Sequence, residues 1–194
     1  MYIEKSFVES VEKITGEIFL MKVFSPAIAY TAKPGQFCNI KVSENDFPLL
    51  RRPFSVCNVE GDYIFFLFDI HGEGTKILSS KKNGDTVELL GPLGKGFIFD
   101  DDYDTALIVA GGLGAAPFPF LIKNLPEDKN VICLVGGRTK KNIVTYGLKN
   151  IAIATDDGSD GFKGTVIDLL KDEIGNVSRK KFRIFACGQN AMLK

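Results

Sequence analysis

The sequence predicts two domains: an antiparallel β-barrel or sandwich over residues 1–99 and a doubly wound parallel α/β unit over 100–194. Three observations predict them. Short alternating or apolar runs, separated by Gly and Pro turns, fill the first half. Gly91-Pro92-Leu93-Gly94-Lys95-Gly96 and the acidic run Asp100-Asp101-Asp102 then end that rhythm. Beyond them, continuous apolar runs alternate with helical patterns, as buried parallel strands joined by crossovers do.

Taken in order, residues 7–13 and 18–24 read as strands around the Thr15-Gly16 turn. Residues 37–42 follow Lys33-Pro34-Gly35. Residues 54–59 and 63–70 flank Glu60-Gly61-Asp62, a hairpin signal. A short helix over 73–80 opens on Gly72, and a strand over 86–90 follows Asn83-Gly84-Asp85. In the second half, 106–110 is a buried strand, and 115–125 reads as a helix with Pro117 and Pro119 in its first turn. Strands at 131–135, 151–155 and 182–186 follow, with a helix over 165–174 carrying apolar residues at helical spacing.

The composition, 45% hydrophobic with 24 basic and 24 acidic residues, is that of an ordinary globular chain. Neither half is basic, which argues against nucleic-acid binding. No apolar run reaches the roughly 20 residues of a membrane span, and the N-terminus lacks a signal-peptide pattern, so a cytoplasmic location is expected. Cys38, Cys57, Cys133 and Cys187 are far apart and match no metal spacing. They read as reduced thiols, the first three buried.

The chemistry lies in two clusters. Arg51-Arg52-Pro53-Phe54-Ser55 places a cation, a flat aromatic and a hydroxyl together, and Gly72-Glu73-Gly74-Thr75 adds amides freed by glycines. A flavin nucleotide needs such groups: Arg52 can fork onto a pyrophosphate, and a glycine-opened helix start offers N–H groups to phosphate. The same residues also suit an edge-strand opening with solvated arginines and an ordinary turn. His71, the single histidine, sits between them and has no evident proton-transfer role.

Gly111-Gly112-Leu113-Gly114-Ala115-Ala116-Pro117 follows a buried strand and precedes a helix, the context in which a glycine loop binds a nucleotide. Its spacing is not GxGxxG, and a tight turn would use the same glycines. Gly136-Gly137-Arg138, Thr155-Asp156-Asp157-Gly158-Ser159 and Cys187-Gly188 close the other strands. Small or polar residues at successive strand ends make a crevice. Cys187 can face a nicotinamide ring or simply be a buried thiol.

The order Arg-Pro-Phe-Ser, Gly-Glu-Gly-Thr, Gly-Pro-Leu-Gly-Lys-Gly-Phe, Gly-Gly-Leu-Gly-Ala-Ala-Pro and Cys-Gly resembles the ferredoxin-NADP reductase superfamily over essentially the whole chain. Leu90-Gly91-Pro92-Leu93-Gly94, with residues 154–159 and 161–166, is similar within it to the electron-transfer subunits of NAD-dependent dihydroorotate dehydrogenase. The resemblance implies an FAD-binding β-barrel over 1–99 and an NAD-binding domain over 100–194. It implies that Arg52, Pro53, Phe54 and Ser55 form the flavin motif, that Asp69, Ile70 and His71 lie along the FAD, and that Gly74 and Thr75 form its pyrophosphate loop. It places Gly111, Gly112, Gly114, Asp156, Gly158, Cys187 and Gly188 at the nicotinamide nucleotide.

The resemblance further implies electron transfer between NAD(H) and a catalytic dihydroorotate dehydrogenase subunit, in a heterotetramer serving pyrimidine biosynthesis. A four-cysteine [2Fe-2S] segment is expected in a continuation beyond Lys194, and the sequence as it stands is read as truncated. Gln189-Asn190 replaces the proline-rich stretch that often follows Cys-Gly in that family. Asp156 and Asp157 favour NAD over NADP, while Arg138, Lys140 and Lys141 argue the other way. A stand-alone NAD(P)H:acceptor reductase, a hydrogenase or transhydrogenase subunit, and a non-catalytic nucleotide-binding module are the alternatives.

Overall fold

In a computed structural model the chain divides into two units, Met1–Phe97 and Ile98–Lys194. The sequence reading places that division between residues 99 and 100. The structure describes residues 1–44, 47–177, 181–190 and 192–193.

The first unit holds β1 (Tyr2–Thr15), β2 (Ile18–Phe24), α1 (Pro26–Thr31), β3 (Phe37–Lys41), β4 (Arg52–Ser55), β5 (Asn58–Glu60), β6 (Tyr63–Asp69), α2 (Glu73–Ser79) and β7 (Thr86–Leu93). The strands form one sheet in the order β4-β3-β7-β1-β2-β6-β5, and every pair is antiparallel. β4 and β5 stand at opposite ends of that order yet are joined by only Val56 and Cys57. The Val56 amide donates to Gln36 O at 2.9 Å and the Cys57 amide to Phe65 O at 2.8 Å. Consecutive amides therefore serve opposite edges, and the sheet closes on itself as a barrel.

That switch explains why the strand expected over 54–59 is two strands. Phe66, Phe68, Met21, Ile40 and Leu89 are fully buried and fill the barrel. Helix α1 is absent from the sequence reading because its cap is not local. The Glu4 carboxylate, on β1, accepts from Ser25 Oγ at 2.6 Å and from the Ile28 amide at 3.3 Å. A remote side chain thus supplies what an adjacent N-cap residue usually does. β7 runs on through Gly91-Pro92, where the sequence suggests a break. A Cβ on Gly91 would lie 2.4 Å from Cys38 Sγ, so a bare glycine lets the neighbouring strand close up.

Burial pushes the Cys38 thiol up to about 12 and raises that of Cys57 as well. Unfolding returns both to the ordinary value near about 8.5. The unfolded chain then loses protons first as pH rises. Stability from these thiols is complete below about pH 8.5 and is lost on the way up to 12. The urea midpoint should fall between about pH 8 and about pH 10.5, and fall less in a Cys38→Ala, Cys57→Ala variant. An equal fall in both proteins would assign the effect to other groups.

The second unit holds β8 (Thr105–Gly111), α3 (Phe118–Asn124), β9 (Asn130–Gly137), β10 (Ile151–Thr155), β11 (Phe162–Lys163), α4 (Val166–Val177) and β12 (Phe182–Cys187). The sheet is parallel throughout, in the order β11-β10-β9-β8-β12. The chain proceeds from β8 outward to β11 and then returns to the other side of β8. The topological switch point therefore lies between β8 and β12. Residues Thr105 to Ala110 are all buried, as expected for a central parallel strand.

The helix expected from residue 115 begins at Phe118. Gly112–Ala115 is a 3₁₀ turn, Pro117 is the N-cap residue, and Pro119 falls in the first helical turn. Neither proline has an N–H to donate, and neither position requires one. β11, only two residues long, carries no strand signal of its own; its register beside Ala154 and Thr155 creates it.

Candidate functional site

Within the first unit, β4 and the start of α2 come together. A Cβ on Gly74 would lie 2.2 Å from Arg52 Nε and 2.9 Å from its Nη2. The guanidinium therefore lies on the bare backbone of the first turn of α2. The amides of Glu73, Gly74 and Thr75 are there, with no preceding helical carbonyl to accept from them. Arg52 also donates to Leu50 O, and Arg51 turns the other way to pair with Glu88. Gly72 adopts φ 98°, a value side chains rarely reach, and sets the approach to the helix.

Thr75 Oγ1 is part of the turn. It accepts from the His71 amide at 2.6 Å and donates to Gly72 O at 3.2 Å. His71 Nδ1 lies 3.0 Å from Asp69 Oδ1, and the His71 side chain is 80% exposed. Phe54 is half-buried, with its ring 6.5 Å from Phe66 and 5.8 Å from Phe68, so it also belongs to the barrel interior. Pro53 is exposed, and Ser55 and Ile70 are half-buried. Cation and bare amides coincide at Gly74, and a pyrophosphate fits that cradle. A β-carbon would fill it.

Within the second unit, the loops after β8 and β12 meet at the switch point. A Cβ on Gly114 would lie 2.2 Å from Cys187 O and 2.9 Å from Gly188 Cα. One on Gly111 would lie 2.8 Å from Met192 Sδ, and one on Gly188 would lie at the same 2.8 Å from it. Gly112 has φ 55°. Met192, which the sequence reading does not single out, thus roofs two of the glycines, and it packs against the buried cluster of Val109, Leu134 and Val166. No local pattern marks it. Cys187 is half-buried, and burial raises its thiol, so it is neutral near pH 7.

Asp156 and Gly158 lie farther along the same edge of the sheet, after β10, which is separated from β8 by β9. The Asp156 amide donates to Gly137 O at 3.1 Å, and Asp156 and Gly158 are exposed. Asp157 Oδ1 accepts from Ser159 N at 2.9 Å and Ser159 Oγ at 2.6 Å, which holds its carboxyl below the usual range. Ser159 Oγ in turn accepts from the Lys140 amide at 2.8 Å, and Lys140 Nζ lies 3.8 Å from Asp160. The basic loop after β9 and the acidic loop after β10 are therefore tied together.

A closed antiparallel barrel with an arginine-and-glycine cradle, followed by a parallel sheet with glycine loops at its switch point, defines a two-domain reductase of the ferredoxin-NADP reductase type. The NADH-dependent reduced ferredoxin-NADP oxidoreductase of flavin-based electron bifurcation superposes with a TM-score of 0.84 at 30% identity, over 97% of this chain and 69% of that one. A ferredoxin NADP+ reductase from Neisseria gonorrhoeae, solved with FAD and NADP, shares the fold at 20% identity, with a TM-score of 0.78 over 98% of this chain and 87% of that one.

The dihydroorotate dehydrogenase B (NAD(+)) electron transfer subunit of Desulforamulus reducens is 39% identical over 193 residues, covering 95% of this chain and 73% of that protein. Its counterpart in Bacillus velezensis is 35% identical over 199 residues, covering 96% and 75%. The chain belongs to this family of electron transfer subunits, which are NAD(P)H-linked flavin oxidoreductases. No family model matches it. Among the described residues, no helix is long and apolar enough to cross a membrane.

Proposed function

We propose that the first unit binds FAD, that the second binds NAD(H), and that the protein passes electrons between NAD(H) and the catalytic subunit of a dihydroorotate dehydrogenase. The observation that carries this reading is the Arg52 guanidinium lying on Gly74. When bound, FAD would supply a centre that exchanges a hydride with nicotinamide and electrons with the partner subunit. Arg52 and the amides of Glu73, Gly74 and Thr75 would hold its pyrophosphate. Ser55 would donate to the flavin edge, Phe54 and Pro53 would flank it, and Asp69, Ile70 and His71 would line it. The Asp69–His71 pair orients the imidazole.

Gly111, Gly112 and Gly114, with Cys187 and Gly188, would bring the two loops close together beside the nicotinamide nucleotide, while Asp156 and Gly158 would face its far end. Neutral Cys187 presents no charge to the ring. A heterotetramer in the cytoplasm, feeding pyrimidine biosynthesis, completes the proposal. Iron–sulfur binding belongs to the proposal only if the chain continues beyond Lys194. Among the described residues, no group of three His, Cys, Asp or Glu side chains could hold a metal.

The test is reconstitution of the full-length protein with its catalytic subunit. Dihydroorotate-dependent NAD+ reduction is expected, and an FAD-loaded protein that supports none of it would overturn the reading. The likeness to the electron-bifurcating oxidoreductase favours one second reading, a subunit that serves ferredoxin. NADH-linked ferredoxin reduction with a different partner subunit would select it.

Coenzyme choice follows from the loop after β10. Asp157 is held ionised by Ser159, and with Asp156 it sets like charge against a 2′-phosphate. NADH should reduce the flavin with a kcat/KM at least about tenfold above that of NADPH, equivalent to about 1.4 kcal/mol. Equal or better use of NADPH in stopped-flow reduction would contradict it.

A further inference from the structure

Two loops at the carboxyl edge of the parallel sheet carry opposite charge. The loop after β9 holds Arg138, Lys140 and Lys141, which suit a 2′-phosphate, and the loop after β10 holds Asp156 and Asp157, which oppose one. A single hydroxyl joins them. Ser159 Oγ donates to Asp157 Oδ1 at 2.6 Å and accepts from the Lys140 amide at 2.8 Å. The Ser159 amide donates to the same carboxylate oxygen at 2.9 Å.

Neighbouring bonds fix where that hydroxyl stands. Buried Thr155 Oγ1 accepts from the Asp160 amide at 3.0 Å and donates to Asp160 O at 2.7 Å. The Asp156 and Asp157 amides donate to Gly137 O and Arg138 O at 3.1 and 3.3 Å. The acidic loop is thus laid along the basic one by its backbone, and Ser159 fixes the Asp157 side chain on that base. The basic loop also reaches the switch point, since Asn142 O lies 4.0 Å from where a Cβ on Gly112 would be. Lys140 Nζ lies 3.8 Å from Asp160 Oδ2. That exposed ion pair alone constrains little; the bond from the Lys140 amide to Ser159 is the firmer tie.

We infer that Ser159 is a positioning residue for coenzyme choice, holding the Asp157 carboxylate and the loop after β9 in the one arrangement that accepts NAD(H) and rejects NADP(H). This rests on the proposed NAD(H) site and its preference for NAD. An untethered surface carboxylate has rotamer freedom that binding must remove. With one oxygen gripped by two donors, Asp157 is a preset acceptor for a ribose hydroxyl. A 2′-phosphate meets instead a negative charge that cannot turn away. The same hydroxyl anchors the backbone of Lys140, so that this cation does not follow the phosphate. Ser159 therefore decides which of the two opposed loops the coenzyme encounters.

The experiment compares the full-length protein with Ser159→Ala and Ser159→Thr variants. Calorimetry with NAD+ and with NADP+ on the oxidised protein reads affinity without turnover, and stopped-flow reduction by NADH separates the limiting rate from half-saturation. Ser159→Ala should narrow the preference for NAD+ over NADP+ by at least about fivefold, the loss expected for a hydrogen bond to a charged group. Half-saturation by NADH should rise while the limiting rate stays within about twofold. Ser159→Thr, which keeps the hydroxyl, should restore both. In an Asp157→Ala background, Ser159→Ala should alter the preference by less than about twofold, because the residue it positions is gone. A preference unchanged by Ser159→Ala would overturn the inference and leave the functional reading intact. So would a threonine variant as impaired as the alanine one, a full loss that persists without Asp157, or a fall confined to the limiting rate. A parent protein that binds NADP+ as well as NAD+ would sink the coenzyme reading itself.

Discussion

Gly114→Ala is expected to abolish efficient reduction of the flavin by NADH while leaving the flavin bound. The added Cβ would sit 2.2 Å from Cys187 O, a backbone atom that cannot swing aside as a side chain can. Either the loop after β8 or the loop after β12 must move, and both line the proposed nicotinamide site. A displacement of about 1 Å at such a site costs roughly a hundredfold in rate. The expected result is therefore a fall of about that size in kcat/KM for NADH. The flavin spectrum and content should be unchanged, since the barrel is a separate unit. Rapid-mixing reduction by NADH is the measurement. A variant within about threefold of the parent would show that the switch-point loops do not hold the nicotinamide.

Arg52→Ala is the second large effect, and it acts on the other unit. The guanidinium lies on Gly74, where three helix-start amides have no helical acceptor. Removing it would delete the proposed charge-assisted bond to the pyrophosphate, worth about 1.5–3 kcal/mol, or roughly a tenfold to 150-fold weaker FAD affinity. Gly74→Ala should act in the same direction, because its Cβ would displace Arg52 from the same place. Exhaustive dialysis, followed by quantification of the retained FAD, reads the loss. Flavin retention equal to the parent in both variants would remove Arg52 and Gly74 from the pyrophosphate site. Arg51→Ala serves as the control. Its partner is Glu88 rather than the α2 turn, so it should leave FAD affinity within about twofold.

Much of this architecture is legible in the sequence because it is local. Alternation and turn glycines mark 18–24 as a strand, and a short apolar run marks 151–155; the observed strands are Ile18–Phe24 and Ile151–Thr155. The glycine clusters are equally visible, since glycine is a signal in itself. That Arg52 and Gly74 belong together, or Gly114 and Cys187, is stated nowhere along the chain. Those pairs are 22 and 73 residues apart, and the sequence orders them only through the family that they resemble.

The tertiary structure decided what depends on remote partners. Helix α1 forms where Glu4, more than 20 residues earlier, caps it. The stretch 54–59 divides because the Val56 and Cys57 amides bond to opposite edges of the sheet. β11 exists through its pairing with β10, and Met192 roofs Gly111 and Gly188 through its packing on the sheet core. By itself the sequence determined the fold class, the order of the strands along the chain and the residue types at each strand end. Those follow from side-chain period and backbone freedom, which neighbouring residues set. Closure of the barrel, the switch point and the meeting of the loops follow from hydrogen bonds and close approaches between segments far apart, which only the folded chain brings within reach.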